Sequence, residues 1–220
     1  MFTALLLAAA IAPVIDAIAA ERAAQARLPP PREDRERLER LGRLDQAPRM
    51  ALKDVDLGRA PEAERELAFK AMGAAMQNVD RTVEAQVLAM VPPEGWFSRS
   101  KYGEEASRAA FMIIQHSSVE NWRRFLPVIE RFVAQGEASG ADYALMYDRL
   151  ATTEGRPQRY GSQLRCVDGK LAPFPLEDAS RVEAWRREAG MPFTYAEQLA
   201  NLSKVKVPCG PAARAAKPAP

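Results

Sequence analysis

The sequence has 220 residues, 47% hydrophobic, 27% charged and 7% aromatic, with 31 basic against 29 acidic side chains and a formal net charge of +2. Basic and acidic residues alternate in stretches such as Arg32 to Arg43, so the balance argues against a nucleic-acid-binding surface, and the composition shows no collagen-like or low-complexity repeat. With the two ends set aside, about 170 residues remain, enough to bury roughly 70% of their unfolded surface in one core with no stabilising metal or cofactor.

Phe2 to Ile15 is apolar but for Thr3 and carries no charge until Asp16, a run too short for the ~20 residues of a membrane-spanning helix and suited to the core of an export signal. Two patterns of small residues follow, Ala17-Ile18-Ala19 and Ala24-Gln25-Ala26, and residues 1–26 therefore read as a signal peptide. The mature chain is expected to begin near Ala20 or Arg27 and to be periplasmic or secreted, with no membrane contact beyond the export signal. The amino-terminal region lacks Lys and Arg, which leaves an uncleaved anchor or a buried helix as the alternative.

After the Pro29–Pro31 break, Leu38, Leu41 and Leu44 recur at helical spacing in a charged context, predicting an amphipathic helix within residues 27–44. The domain proper is expected over residues 45–203. Its longest helix is predicted from Pro61 to Met90, where Leu67, Met72, Met76, Val79, Val83 and Val87 form the apolar stripe and Pro92-Pro93 ends it. Further helices are expected over Glu104 to His116, Val119 to Ala134 with a kink or break at Pro127, and Gly140 to Thr153 behind Ser139. Ser117 with Glu120 reads as a capping box.

One region speaks for strands, Gln163–Val167 and Lys170–Ala172 about the turn-forming Asp168-Gly169. Helices behind Asp178 and behind Thr194 complete a mainly α fold, a single helical domain with one small β-hairpin near the C-terminal third, followed by a disordered tail at 204–220. Cys166 and Cys209 are too few for a paired-cysteine zinc site; they form either one disulfide, closing a loop worth about 4 kcal/mol, or two free thiols.

Several motifs stand in order along the chain: Asp45-Gln46 with Arg49; Gly95-Trp96 with Ser100 and Gly103; Gln115-His116; Asp148-Arg149; and Gln158-Arg159-Tyr160-Gly161-Ser162-Gln163. In that order and spacing, Asp45 to Leu202 resembles the bacterial domain-of-unknown-function family 6624. It departs from the family pattern at Phe97, where Pro is usual, and at Ser162, where Thr is usual. The resemblance implies a helical fold with a small hairpin and brings no activity with it.

His116 is the sole histidine, at a helix end where an imidazole serves either as acid and base near neutrality or as a cap on free carbonyls. As chemistry, the pattern makes His116, Asp148 and Tyr160 the candidate catalytic residues. Arg149, Gln115, Gln158, Gln163, Asp45, Arg49 and Trp96 are the candidate ligand-binding residues. As structure, the same residues form a buried polar network, and Trp96 packs in the core. No phosphate loop, nucleophile elbow or zinc motif is present, and no metal site or cofactor is expected. A binding or scaffold role toward a small polar ligand or a protein stands slightly ahead of an enzyme acting on a small polar or anionic substrate.

Overall fold

The structure, a computed structural model, describes residues 2–58, 60–167 and 170–202, with backbone only for residues 2–7. The chain divides into two compact units, residues 1–118 and 119–220.

The first unit contains α1 (Phe2–Ala26), α2 (Asp34–Ala51) with a 3-10 turn at Leu52–Asp54, α3 (Glu62–Met90), the short α4 (Arg99–Tyr102) and α5 (Glu104–Gln115). Asp34 and Glu36 place negative charge on the first turn of α2, where it complements the free amides of the helix start. The predicted leucine stripe is real: Leu38, Leu41 and Leu44 are buried, and the helix extends through Pro48 to Ala51. The stripe packs on α5, whose Ala106, Ala109, Ala110, Ile113 and Ile114 are buried, and on α3 through Met72, Val79, Val83 and Val87. Gly42 lets α2 and α5 approach closely, since a Cβ there would lie 2.5 Å from Ala109 Cβ.

The apolar start of the chain forms α1, continuous through Pro13, with Val14 and Ile18 buried against α2 and α3. Among the described residues no helix is long and apolar enough to cross a membrane. Trp96 is 2% exposed and meets Phe97 edge-on, and Phe97 in turn meets Tyr102, so the Gly-Trp segment is core packing.

The second unit contains α6 (Val119–Ala134), α7 (Gly140–Thr153), the hairpin β1 (Leu164–Val167) and β2 (Lys170–Pro173), α8 (Val182–Glu188) and α9 (Tyr195–Leu202). The α6 helix runs through Pro127 without a break and buries Phe125, Leu126, Ile129 and Phe132. Ser139 caps α7 by accepting the Asp142 amide at 3.2 Å, and Thr194 and Glu197 form a reciprocal capping box at α9. Ser117 instead donates back to the Ile114 carbonyl at 2.7 Å.

The strands pair antiparallel, Leu164 opposite Pro173 and Val167 opposite Lys170. That register leaves the two predicted turn residues, Asp168 and Gly169, between them; these lie outside the described residues, as do the tail at 204–220 and Cys209 of the expected disulfide. Asp178, expected to open a helix, accepts from the amide and hydroxyl of Ser180 in a tight turn, and α8 begins only at Val182.

Candidate functional site

Asp45 is fully buried on α2, where an isolated carboxylate would carry a large desolvation cost. Donors surround it. His116 Nδ1 lies 3.0 and 3.1 Å from its two oxygens, Gln46 Nε2 donates to Oδ2 at 2.6 Å, and Arg49 Nη1 is 3.2 Å from Oδ1. Arg49 also donates to the Asp45 carbonyl at 2.6 Å and pairs with Asp80 of α3 at 2.9 Å.

The local sequence explains the convergence. Asp45 and Arg49 are one helical turn apart on α2, so their side chains share a face. His116 is the C-cap of α5, and its amide binds the Met112 and Ile113 carbonyls, which fixes the ring at the helix end beside that face. A carboxylate can only accept, so Nδ1 is the donor in this contact and Nε2 is the ring nitrogen not committed to Asp45. Every hydrogen bond of His116's side chain among the described residues is made by Nδ1, and the side chain retains 15% exposure.

A groove of about 240 Å³ lies along α2 and α5 beside this cluster, lined by Gly42, Ala109 and Met112 together with the charged Glu39, Arg43, Glu105 and Arg108. Gln46, the Asp45 donor, forms part of its wall.

In the second unit Asp148 is also fully buried, but its partners are backbone amides: Arg159 and Tyr160 at 2.8 and 3.0 Å to Oδ1, and Ser162 at 2.8 Å to Oδ2. The carboxylate ties the Gln158–Gln163 loop to α7. Gln158, also fully buried, donates to the Gln163 and Phe174 carbonyls and accepts the Gln163 amide, so its amide group is consumed by the loop. Arg186 holds the Tyr160 and Phe193 carbonyls, and burial pulls its guanidinium below the ordinary value. Gly161 takes φ +70°, and a Cβ there would meet the Tyr195 ring at 2.5 Å.

The Tyr160 ring is buried edge-on against Tyr147, and that burial raises its phenol. Arg149 lies over the Trp122 ring at 5.7 Å, and Gln163 donates to Ser162.

The motifs thus resolve into two aspartate-centred clusters, one made with side chains and one with backbone. Residues 31–206 match the model described as Family of unknown function (DUF6624). The chain belongs to this family. No curated protein and no solved structure matches it.

Within the DUF6624 region, the structure brings together Asp45, Arg49 and His116, with Gln115 buried beside the last, and separately Asp148, Gln158, Tyr160 and Gln163. Asp80, Gln46 as a donor, and Arg186 were not singled out by the sequence. Asp80 belongs to no motif, and its one signal is its position beside Val79 on a helix whose neighbouring stripe is buried. Among the described residues no group of three or more His, Cys, Asp or Glu side chains is placed to hold a metal ion.

Proposed function

We propose that the first unit carries an acid–base site in which His116 Nε2 exchanges a proton with a small polar molecule while Asp45 positions the ring. The Asp45–His116 contact carries this reading. A carboxylate on Nδ1 fixes tautomer and orientation and stabilises the imidazolium that forms when Nε2 takes a proton. Asp148 has no comparable freedom, because three backbone amides occupy it.

The charge of the cluster narrows the ligand. Arg49 is already matched by Asp45 and Asp80, so no spare cation is left in the cluster to attract an anion. A neutral or cationic polar molecule fits that field better than an anionic one.

A scaffold reading is favoured by a different observation: Asp45, Arg49, Asp80 and His116 join three helices and would fix their packing with no ligand at all. The sole histidine makes the two readings separable. Its imidazole nitrogens give one pair of NMR signals, and acylation by diethyl pyrocarbonate reports access to Nε2. On the acid–base reading Nε2 is acylated readily, and His116→Gln keeps the fold while losing turnover in a screen of hydrolase and lyase substrates. Resistance to acylation, with a large loss of stability in His116→Gln, would leave the scaffold reading in its place.

A further inference from the structure

We infer that the groove along α2 and α5 is a binding site for a dipeptide-sized zwitterion, a free ammonium and a free carboxylate joined by a short body with an apolar side chain. The two helices run in the same direction. A Cβ at Gly103 would lie 3.7 Å from Arg35 Cδ, one at Gly42 would lie 2.5 Å from Ala109 Cβ, and Asp45 meets His116, so the N-terminal ends lie together. Each helix lends the groove positions spaced i, i+3, i+4 and i+7, namely 39, 42, 43 and 46 from α2 and 105, 108, 109 and 112 from α5. Between parallel helices this spacing sorts the charges by level. Glu39 and Glu105 share one end, and Arg43 and Arg108 stand about one helical turn, ~5 Å, further on. Met112 and Gln46 stand at the other end, where Gln46 donates to Asp45.

The charges on α2 are not spent on one another. Glu39 and Arg43 are four positions apart, the spacing at which a carboxylate and a guanidinium ordinarily pair. Among the described residues they do not pair: Glu39 Oε1 meets Arg35 at 3.9 Å, and Arg43 Nε meets Glu21 at 3.5 Å. Both contacts are long and involve an exposed arginine, so they hold their partners weakly. They leave Glu39 Oε2 and both terminal nitrogens of Arg43 for another partner. Glu105 is exposed and has no ion pair among the described residues. The side chains of Ala109 and Met112 present apolar surface between and beyond these charges, which suits an apolar body held by polar ends.

The spacing sets the size of the ligand. An extended amino acid spans at most ~3.5 Å and falls short of the ~5 Å between the two levels, a dipeptide at most ~7 Å covers it, and a tripeptide at ~10 Å overshoots. The ammonium goes to the glutamates and the carboxylate to the arginine forks. The side chain next to that carboxylate then runs over Ala109 toward the Met112 thioether, which accommodates a branched aliphatic group. Such a ligand carries no net charge. Binding it requires no proton exchange at His116, so the groove stands or falls apart from the acid–base reading.

Titration of the isotope-labelled full-length chain with glycyl-leucine, followed by amide NMR, tests the site. The Gly42, Ala109 and Met112 amides should shift and saturate. Glycyl-leucine amide and acetyl-glycyl-leucine, each lacking one charge, should bind about ten-fold more weakly. Arg43→Gln should erase the preference for the free acid over the amide, and Glu105→Gln the preference for the free amine over the acetylated form, each with the Tm unchanged. The blocked peptides test the same contacts on wild-type protein, so the result does not depend on how a variant folds. Shifts that never saturate, equal affinity for the three peptides, or variants that keep both preferences would overturn the site. Any of these beside ready acylation of His116 would leave the acid–base reading in place without this ligand.

Discussion

Replacing Asp148 by Asn changes one oxygen for an NH2 group of nearly the same shape, at a fully buried site whose three donors are all main-chain amides. The best carboxamide orientation keeps Oδ1 toward Arg159 and Tyr160 and turns the NH2 toward the Ser162 amide, leaving two donors face to face. Stranding one buried amide costs about 1–3 kcal/mol, and reducing two charge-assisted bonds to neutral strength costs roughly 1 kcal/mol each. The sum, about 3–5 kcal/mol, is a large share of the ~5–15 kcal/mol that holds a typical domain. Urea unfolding should show this loss, and amide exchange at Arg159, Tyr160 and Ser162 should accelerate more than in α6. A loss under about 1 kcal/mol with unchanged exchange at those three amides would refute the role assigned to Asp148, because a bond network worth that little cannot be what pins the loop.

Tyr143 is buried and donates to Glu130 at 3.1 Å, and burial first, then the Glu130 charge, raises its phenol above the ordinary 10.0. Both states keep the phenol proton below pH 10, so its contribution is level there; above it the unfolded chain ionises first, and stability falls as pH rises. Tyr143→Phe should flatten that alkaline slope in urea titrations at a cost of about 1 kcal/mol at neutral pH, and an unchanged slope would place the alkaline loss elsewhere. Gly161→Ala combines φ +70° with a Cβ 2.5 Å from the Tyr195 ring, so it should lower the Tm, and adding Tyr195→Ala should recover part of the loss. Full additivity of the two changes would show that the ring does not meet the new methyl group.

Helices were legible wherever an apolar stripe had clear punctuation. The stretch Gly140 to Thr153, bounded by a capping Ser and a Gly, is observed as α7 with the same limits, and the hairpin is observed within a residue of its expected ends. Proline pointed both ways: Pro92-Pro93 follows the end of α3 at Met90, as expected, whereas Pro127, where a kink or a break was expected, lies inside a continuous helix, since packing on neighbours outweighs one lost amide bond. The identity of the polar residues was legible from the motifs, but their pairing was not. His116 and Asp45 are 71 positions apart, and which aspartate meets the ring depends on how α2 and α5 pack, which local spacing does not reveal. The Asp148 bonds were hidden for another reason, because their donors are amides that every residue possesses.

That last arrangement also bears on the order in which the chain can assemble. Asp148 emerges from synthesis before the amides that neutralise it, so until Ser162 follows, α7 bears a carboxylate on a face meant for the interior. Burying that face early would strand a charge, and the helix has reason to stay solvated until the next turn of chain arrives. The same tether then fixes where the hairpin starts, and Arg186 closes the sequence by gripping the Tyr160 carbonyl from α8. On this view the loop is a checkpoint in folding, and mutations at Asp148 should slow the formation of the second unit, read as the refolding rate after a urea jump.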